Sequence, residues 1–79
     1  MKEKIQKICE EICKRDVTDE QLLITGKILD SFQLMELICS LEEEFQVQFL
    51  PEEIMELDHF ECIDHMTDLV RDKTAEKTA

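Results

Sequence analysis

Ser31 stands at the start of the longest helical pattern in the chain, directly after Asp30, and this acid–hydroxyl pair offers two kinds of chemistry. The carboxylate suits a helix N-cap, because it can accept an orphan backbone N–H and complements the positive end of the helix dipole. The hydroxyl is an attachment or reaction point, since the free N–H groups of a first helical turn favour an anionic group built there. An activated serine would need a base and an oxyanion loop. The histidines, His59 and His65, fall in a distant part of the sequence, and Gly26 is the single glycine, so a hydrolase reading fails. His59-x-x-Cys62-x-x-His65 contains ligand types that zinc accepts but no fourth ligand, and reads as ordinary half-buried residues. Cys9 and Cys13, one turn apart on a helix, would pair only at strained geometry and read as small buried hydrophobes. Glu42, Glu43, Glu44, Glu52 and Glu53 lack the alternating spacing and glycine of a calcium loop. No metal site is expected.

The element that positions Ser31 is a helix over 31–45 with one apolar stripe too many. At roughly 100° per residue, Leu34, Leu37, Ile38, Leu41 and Phe45 make a core-facing stripe. Phe32, Met35 and Cys39 form a second cluster beside Ser31, bordered by Glu36, Glu42 and Glu43. An apolar face with an anionic edge on a small chain is expected to dock a partner. The plainer readings are that these apolar residues pack against the neighbouring loop, Phe32 foremost among them, and that the glutamates are a solvated face.

Three further helices are expected. Ile5, Ile8, Cys9 and Ile12 trace a 3.6-residue stripe, predicting a first helix over 2–15. Asp16 to Leu29 reads as a long loop whose Val17, Leu22, Leu23, Ile24, Ile28 and Leu29 plug into the core. Leu50-Pro51-Glu52-Glu53 starts a short third helix running to about Leu57. Ile63, Met66, Leu69 and Val70 mark a fourth helix, followed by a polar, frayed tail over 73–79. The fold class is therefore all-α, a small four-helix bundle forming one domain over 1–79, ordered over about 2–72. Nothing alternates with strand period, and no repeat is present.

The chain has 79 residues and a net charge of −11, too small to enclose a deep active site in its own core. No Lys or Arg occurs between Lys27 and Arg71, while that stretch carries acids from Asp30 to Asp68. Such a field repels phosphate backbones and anionic lipids and attracts basic partner surfaces. Neither nucleic acid nor membrane insertion is expected. The N-terminal residues enter an amphipathic pattern without a signal-type apolar block, so Cys9, Cys13, Cys39 and Cys62 are expected to be free thiols in a cytoplasmic, monomeric protein.

Leu29-Asp30-Ser31-Phe32, Met35-Glu36-Leu37-Ile38 and Leu41-Glu42-Glu43-Glu44-Phe45, with the Pro51 helix start and the Phe60 to Val70 pattern, resemble the acyl carrier protein family over nearly the whole domain. Phe32 stands where the family usually has Leu. The resemblance implies an acyl-carrier-type bundle that is not itself an enzyme. It also implies that a magnesium-dependent phosphopantetheinyl transferase attaches 4′-phosphopantetheine from coenzyme A to Ser31, with Asp30 helping that enzyme bind its metal and coenzyme A. Phe32, Met35, Glu36, Cys39, Glu42 and Glu43 would then serve partner recognition.

Gly26-Lys27-Ile28-Leu29-Asp30-Ser31-Phe32 is similar to the stretch leading into the motif in D-alanyl and other stand-alone aminoacyl carriers. The loop Asp16 to Leu29 is also shorter than the family's typical first loop, which argues against a large cavity for a fatty chain. The resemblance thus implies an aminoacyl thioester loaded by an ATP-using adenylating ligase, or otherwise by an acyltransferase, and unloaded by a downstream acyl-transfer or condensing enzyme. Carriage of fatty-acid or polyketide cargo is the alternative. An acidic helical adaptor without a prosthetic group, or a regulatory subunit phosphorylated at Ser31, completes the alternatives.

Overall fold

The computed structural model describes residues 1–78, with side chains through Ala75. Helix α1 spans Lys2–Cys13, α2 spans Ser31–Phe45, α3 spans Pro51–Met55 and α4 spans Ile63–Thr78, with a 3₁₀ turn at Leu57–Phe60 between α3 and α4. The described residues contain no strand, and the all-helical bundle matches the fold class expected from periodicity.

Periodicity dictates what is inside. Ile5 and Cys9 from α1, Leu37, Ile38 and Leu41 from α2, and Ile63, Met66 and Val70 from α4 are buried together with Phe49 and Phe60 from the α2–α3 connection and the 3₁₀ turn. The Phe49 and Phe60 rings meet edge to face at 5.4 Å, an arrangement favoured by the ring quadrupoles. Leu34 and Phe45 pack against this cluster from its margin, completing the inner stripe of α2.

Several boundaries differ from expectation. Helix α1 stops at Cys13 because Lys14 turns left-handed (φ 57°) and its N–H closes back on the Glu10 carbonyl at 2.7 Å. The third helical stretch splits after Met55, and Leu57 lies in the 3₁₀ turn rather than in α3. The expected frayed tail is helical through Thr78, with Ala79 outside the described residues. Within this extension Lys73 is anchored, its Nζ 2.7 Å from Glu53 Oε1 with side chains only 10% and 20% exposed, and 6.0 Å from the Phe49 ring centroid.

The loop between α1 and α2 is held at both ends. The Gln6 amide donates to the Val17 carbonyl at 2.7 Å and the Val17 N–H donates to Glu10 Oε2 at 3.0 Å, seating Val17 in the core. Lys2 Nζ bridges Asp19 at 3.1 Å and Asp64 at 2.6 Å, and the hydrogen bonds to Asp64 and then Asp19 raise its pKa. Of the six expected plugs, Val17, Leu23 and Leu29 are buried, Ile24 and Ile28 pack against the core's edge, and Leu22 is exposed. At Gly26 a Cβ would run into the Leu22 carbonyl oxygen, so the tight turn there requires glycine.

Candidate functional site

Asp30 caps α2 as its sequence position requires. Its Oδ1 accepts the Gln33 N–H at 2.8 Å, and Gln33 Oε1 accepts the Asp30 N–H at 3.1 Å, a reciprocal capping box. The other end of the same amide, Gln33 Nε2, donates to the Ile12 carbonyl at 3.3 Å. One side chain therefore fixes the start of α2 and ties it to the last turn of α1. The signal for Gln33 in the sequence is the Asp-x-x-Gln spacing of a capping box.

Ser31 occupies the first position of α2 and is exposed. Helix geometry leaves first-turn N–H groups without intrahelical acceptors, and the α2 dipole places partial positive charge at that end. Both features suit a phosphodiester on the hydroxyl. They do not make Ser31 a nucleophile within its own chain. His59 Nδ1 donates to the Glu53 carbonyl at 3.2 Å and His65 Nδ1 to the Asp58 carbonyl at 2.8 Å, so both rings serve the α3–α4 corner.

The second apolar face of α2 is open. Phe32 is 73% exposed and Met35 52% exposed, and Cys39 is exposed with them. Of the two readings the sequence left for Phe32, packing against the loop and an open docking face, its exposure rules out the first, while Leu29 of the loop is buried in the core and Ile28 packs against its edge. Glu36 and Glu43 are exposed at the edge of this face. Glu42 differs from them. It is half-buried, and its Oε2 accepts the Phe49 N–H at 2.9 Å, so it also holds the α2–α3 connection in place.

The segment that delivers Asp30 and Ser31 has an anchor that the sequence did not advertise. The Glu61 carboxylate accepts the Ile24 N–H at 2.7 Å, the Thr25 N–H at 2.9 Å and the Thr25 hydroxyl, and the Glu61 carbonyl accepts the Leu23 N–H at 2.7 Å. Desolvation pushes this carboxyl's pKa upward. The Thr25 and Ile24 hydrogen bonds, helped by the nearby His65, outweigh it and hold the group below the ordinary carboxylate range. A lone glutamate between Phe60 and Cys62 carries no sequence signal for a contact to residues 23–25.

The remaining expectations fall outside the site. Cys62 is buried, and among the described residues no three His, Cys, Asp or Glu side chains converge as a metal site. The four cysteines are free. Burial first, then Cys13 and Glu10, pushes the Cys9 thiol up to about 12. A shallow cleft of about 390 Å³ lies between α1 and α2, lined by Ile8, Glu11, Ile12, Ser40, Glu43 and Glu44. No described helix is long and apolar enough to cross a membrane.

A family model described as "Phosphopantetheine attachment site" matches residues 3–61. The match takes in α1 after Lys2, the whole loop, Asp30 and Ser31, α2, α3 and Glu61. No curated protein matches the chain.

Proposed function

The chain belongs to the phosphopantetheine-attachment family, whose members carry covalently bound 4′-phosphopantetheine, and from that premise we propose that Ser31 is the residue that bears the arm. The observation that carries this reading is the exposed hydroxyl at the first position of an Asp30-capped helix, inside the matched region. When bound, the group supplies a terminal thiol on which cargo rides as a thioester. The chain's own contribution is presentation. Asp30 and Gln33 fix the start of α2, the first-turn N–H groups and dipole accept the negative phosphodiester, and the absence of a base at Ser31 leaves activation of its hydroxyl to the transferase.

Carrier domains of this family work with phosphopantetheinyl transferases and acyl-handling enzymes. Phe32, Met35 and Cys39, edged by Glu36 and Glu43, form the face on which those enzymes dock, with Glu42 contributing from its margin. Their contact surfaces carry basic residues around an apolar recess, because the face is apolar at its centre and anionic at its rim. Asp30 additionally assists the transferase's metal and coenzyme A.

The cargo is a short aminoacyl group, as in D-alanyl carriers, loaded by an adenylating ligase. Two observations support a short cargo over a fatty or polyketide chain: the Gly26 to Phe32 stretch and an interior filled by Phe49, Phe60, Leu37, Leu41 and Met66. The protein works as a cytoplasmic monomer and is not an enzyme. The test is intact mass after incubation with coenzyme A, magnesium and a broad-specificity phosphopantetheinyl transferase. The parent chain gains one phosphopantetheinyl group and Ser31→Ala gains none. Folded parent protein that gains nothing overturns the carrier reading in favour of an adaptor.

A further inference from the structure

A line of hydrogen bonds runs from Glu61 through Leu23 to Leu29, two residues before Ser31. The Glu61 carbonyl holds the Leu23 N–H at 2.7 Å, and its carboxylate holds the Ile24 and Thr25 N–H groups at 2.7 and 2.9 Å together with the Thr25 hydroxyl. The Leu23 carbonyl in turn accepts two N–H groups, from Ile28 and Leu29, each at 2.9 Å. The Lys27 N–H closes on the Ile24 carbonyl at 3.0 Å, with Lys27 itself left-handed at φ 58°. Residues 23–29 are thus a closed ring of backbone, sealed at Leu23, whose exit residue Leu29 leads directly into Asp30 and Ser31. Leu23 and Leu29 are buried at the two ends of the ring, while the arc between them is fastened from outside by Glu61.

Resting on the carrier reading above, we infer that Glu61 is a positioning residue for modification of Ser31, acting through the 23–29 ring and not by contact with the attached group. Fixing a loop conformation costs on the order of 1–2 kcal/mol per residue in backbone entropy. The carboxylate offsets that cost by binding several donors that would otherwise have only water. It lies 30 positions along the chain from Ser31, so its removal leaves the Asp30 cap, the Gln33 box and the exposed face of α2 chemically intact. What changes is the fraction of molecules in which the ring presents Ser31 in the conformation the transferase accepts. A fall in that fraction raises the apparent dissociation constant in proportion and leaves the bound complex unchanged.

The experiment measures phosphopantetheinyl transfer to the parent chain, Glu61→Ala, Glu61→Gln, Thr25→Ala and, as a remote control, Thr67→Val, which breaks the buried 2.8 Å bond from the Thr67 hydroxyl to the Ile63 carbonyl. Amide exchange is recorded on the same samples, well below their melting temperatures. In Glu61→Ala, KM for the carrier rises roughly tenfold while kcat stays within about twofold, and exchange quickens selectively at Ile24, Thr25, Ile28 and Leu29. Glu61→Gln keeps an acceptor oxygen and recovers part of the loss, and Thr25→Ala, which deletes the hydroxyl with its neighbouring methyl but keeps the Thr25 N–H bond to Glu61, gives a smaller rise of the same kind. Parental kinetics in both Glu61→Ala and Thr25→Ala, or an equal rise of KM in Thr67→Val, overturns the inference and leaves the carrier reading standing. A parent chain that takes no arm overturns the carrier reading first and the inference with it.

Discussion

Gln33 Nε2 lies 3.3 Å from the Ile12 carbonyl oxygen, so the residue that closes the capping box on Asp30 also joins α2 to the end of α1. Loss of such a side chain removes one capping partner and one inter-helix bond together. Gln33→Ala is expected to destabilise the fold by about 1–2 kcal/mol. In a domain of this size that lowers the melting temperature by roughly 5–15 °C, read by circular dichroism. Gln33→Glu keeps the acceptor for the Asp30 N–H but loses the donor to Ile12 and places a second charge beside Asp30. It should therefore not recover the parental stability.

Acid should loosen the molecule through two carboxylates, Glu53 and Glu61. Burial pushes the Glu53 carboxyl up, but the Leu50 N–H and Lys73 bring it below its usual value, and Glu61 is lowered by its own donors. Both folded-state pKa values lie below the unfolded ones, so the stability these groups add is present above the unfolded carboxylate pKa and is lost as pH falls through the folded values. The unfolding free energy measured by urea titration should be flat from about pH 5 to neutrality and decline below that range. Glu61→Gln should flatten part of that decline.

The inner half of this fold was legible from periodicity, and the outer half was not. Leu37, Ile38 and Leu41 recur at helical spacing, and nothing but a buried stripe accounts for them. Asp30 and Pro51 signalled helix starts through local chemistry alone. Contacts between distant residues leave no such trace. Glu61 reaching residues 23–25, and Lys73 reaching Glu53, depend on how elements pack, so a polar stretch from Lys73 read as a tail although α4 continues through Thr78. Phe32 had two readings for a related reason. Hydrophobicity predicts burial on average, and only the packed structure, with the ring 73% exposed, separates an open docking face from packing against the loop.

The link between Lys73 and Glu53 fastens α4 to α3 in a setting mostly shielded from water. Surface pairs contribute little because water and salt screen them, and the open Lys2 pairs with Asp19 and Asp64 belong to that class. Lys73→Met leaves Glu53 shielded and without its cation and is expected to lose about 1–2 kcal/mol, discounted from the larger effect of breaking a fully buried pair. Lys2→Met should lose less, and adding salt should erase its effect sooner. Paired urea titrations at low and high salt check both statements.

Thiol chemistry should sort the four cysteines by position. Cys39 is exposed on α2, Cys9 and Cys62 are buried, and Cys13 is partly covered with its pKa raised by burial. An aromatic disulfide reagent at neutral pH should titrate Cys39 fast, Cys13 more slowly, and the other two only on unfolding. Cys9 also predicts alkaline behaviour. Its folded pKa of about 12 exceeds the unfolded value near 8.5, so its contribution to stability is complete below the unfolded value and falls away as pH rises through the interval. Cys9→Ala should weaken the fold at neutral pH through the cavity it leaves, and should remove that alkaline slope.

The exposed face of α2 separates recognition from folding. Phe32, at 73% exposure, has little burial to lose, so Phe32→Ser should change stability by no more than about 0.5 kcal/mol. Glu36→Lys and Glu43→Lys likewise reverse charges at exposed positions. If this face docks the transferase and the loading ligase, Phe32→Ser raises KM for the carrier severalfold at any salt concentration, because it deletes apolar contact. The two charge reversals slow association strongly at low salt and weakly at high salt, because they act through a screened field. Stopped-flow association rates across a salt series distinguish these signatures. Unchanged rates for all three variants would reduce the face to solvated surface and move the docking site elsewhere on the bundle.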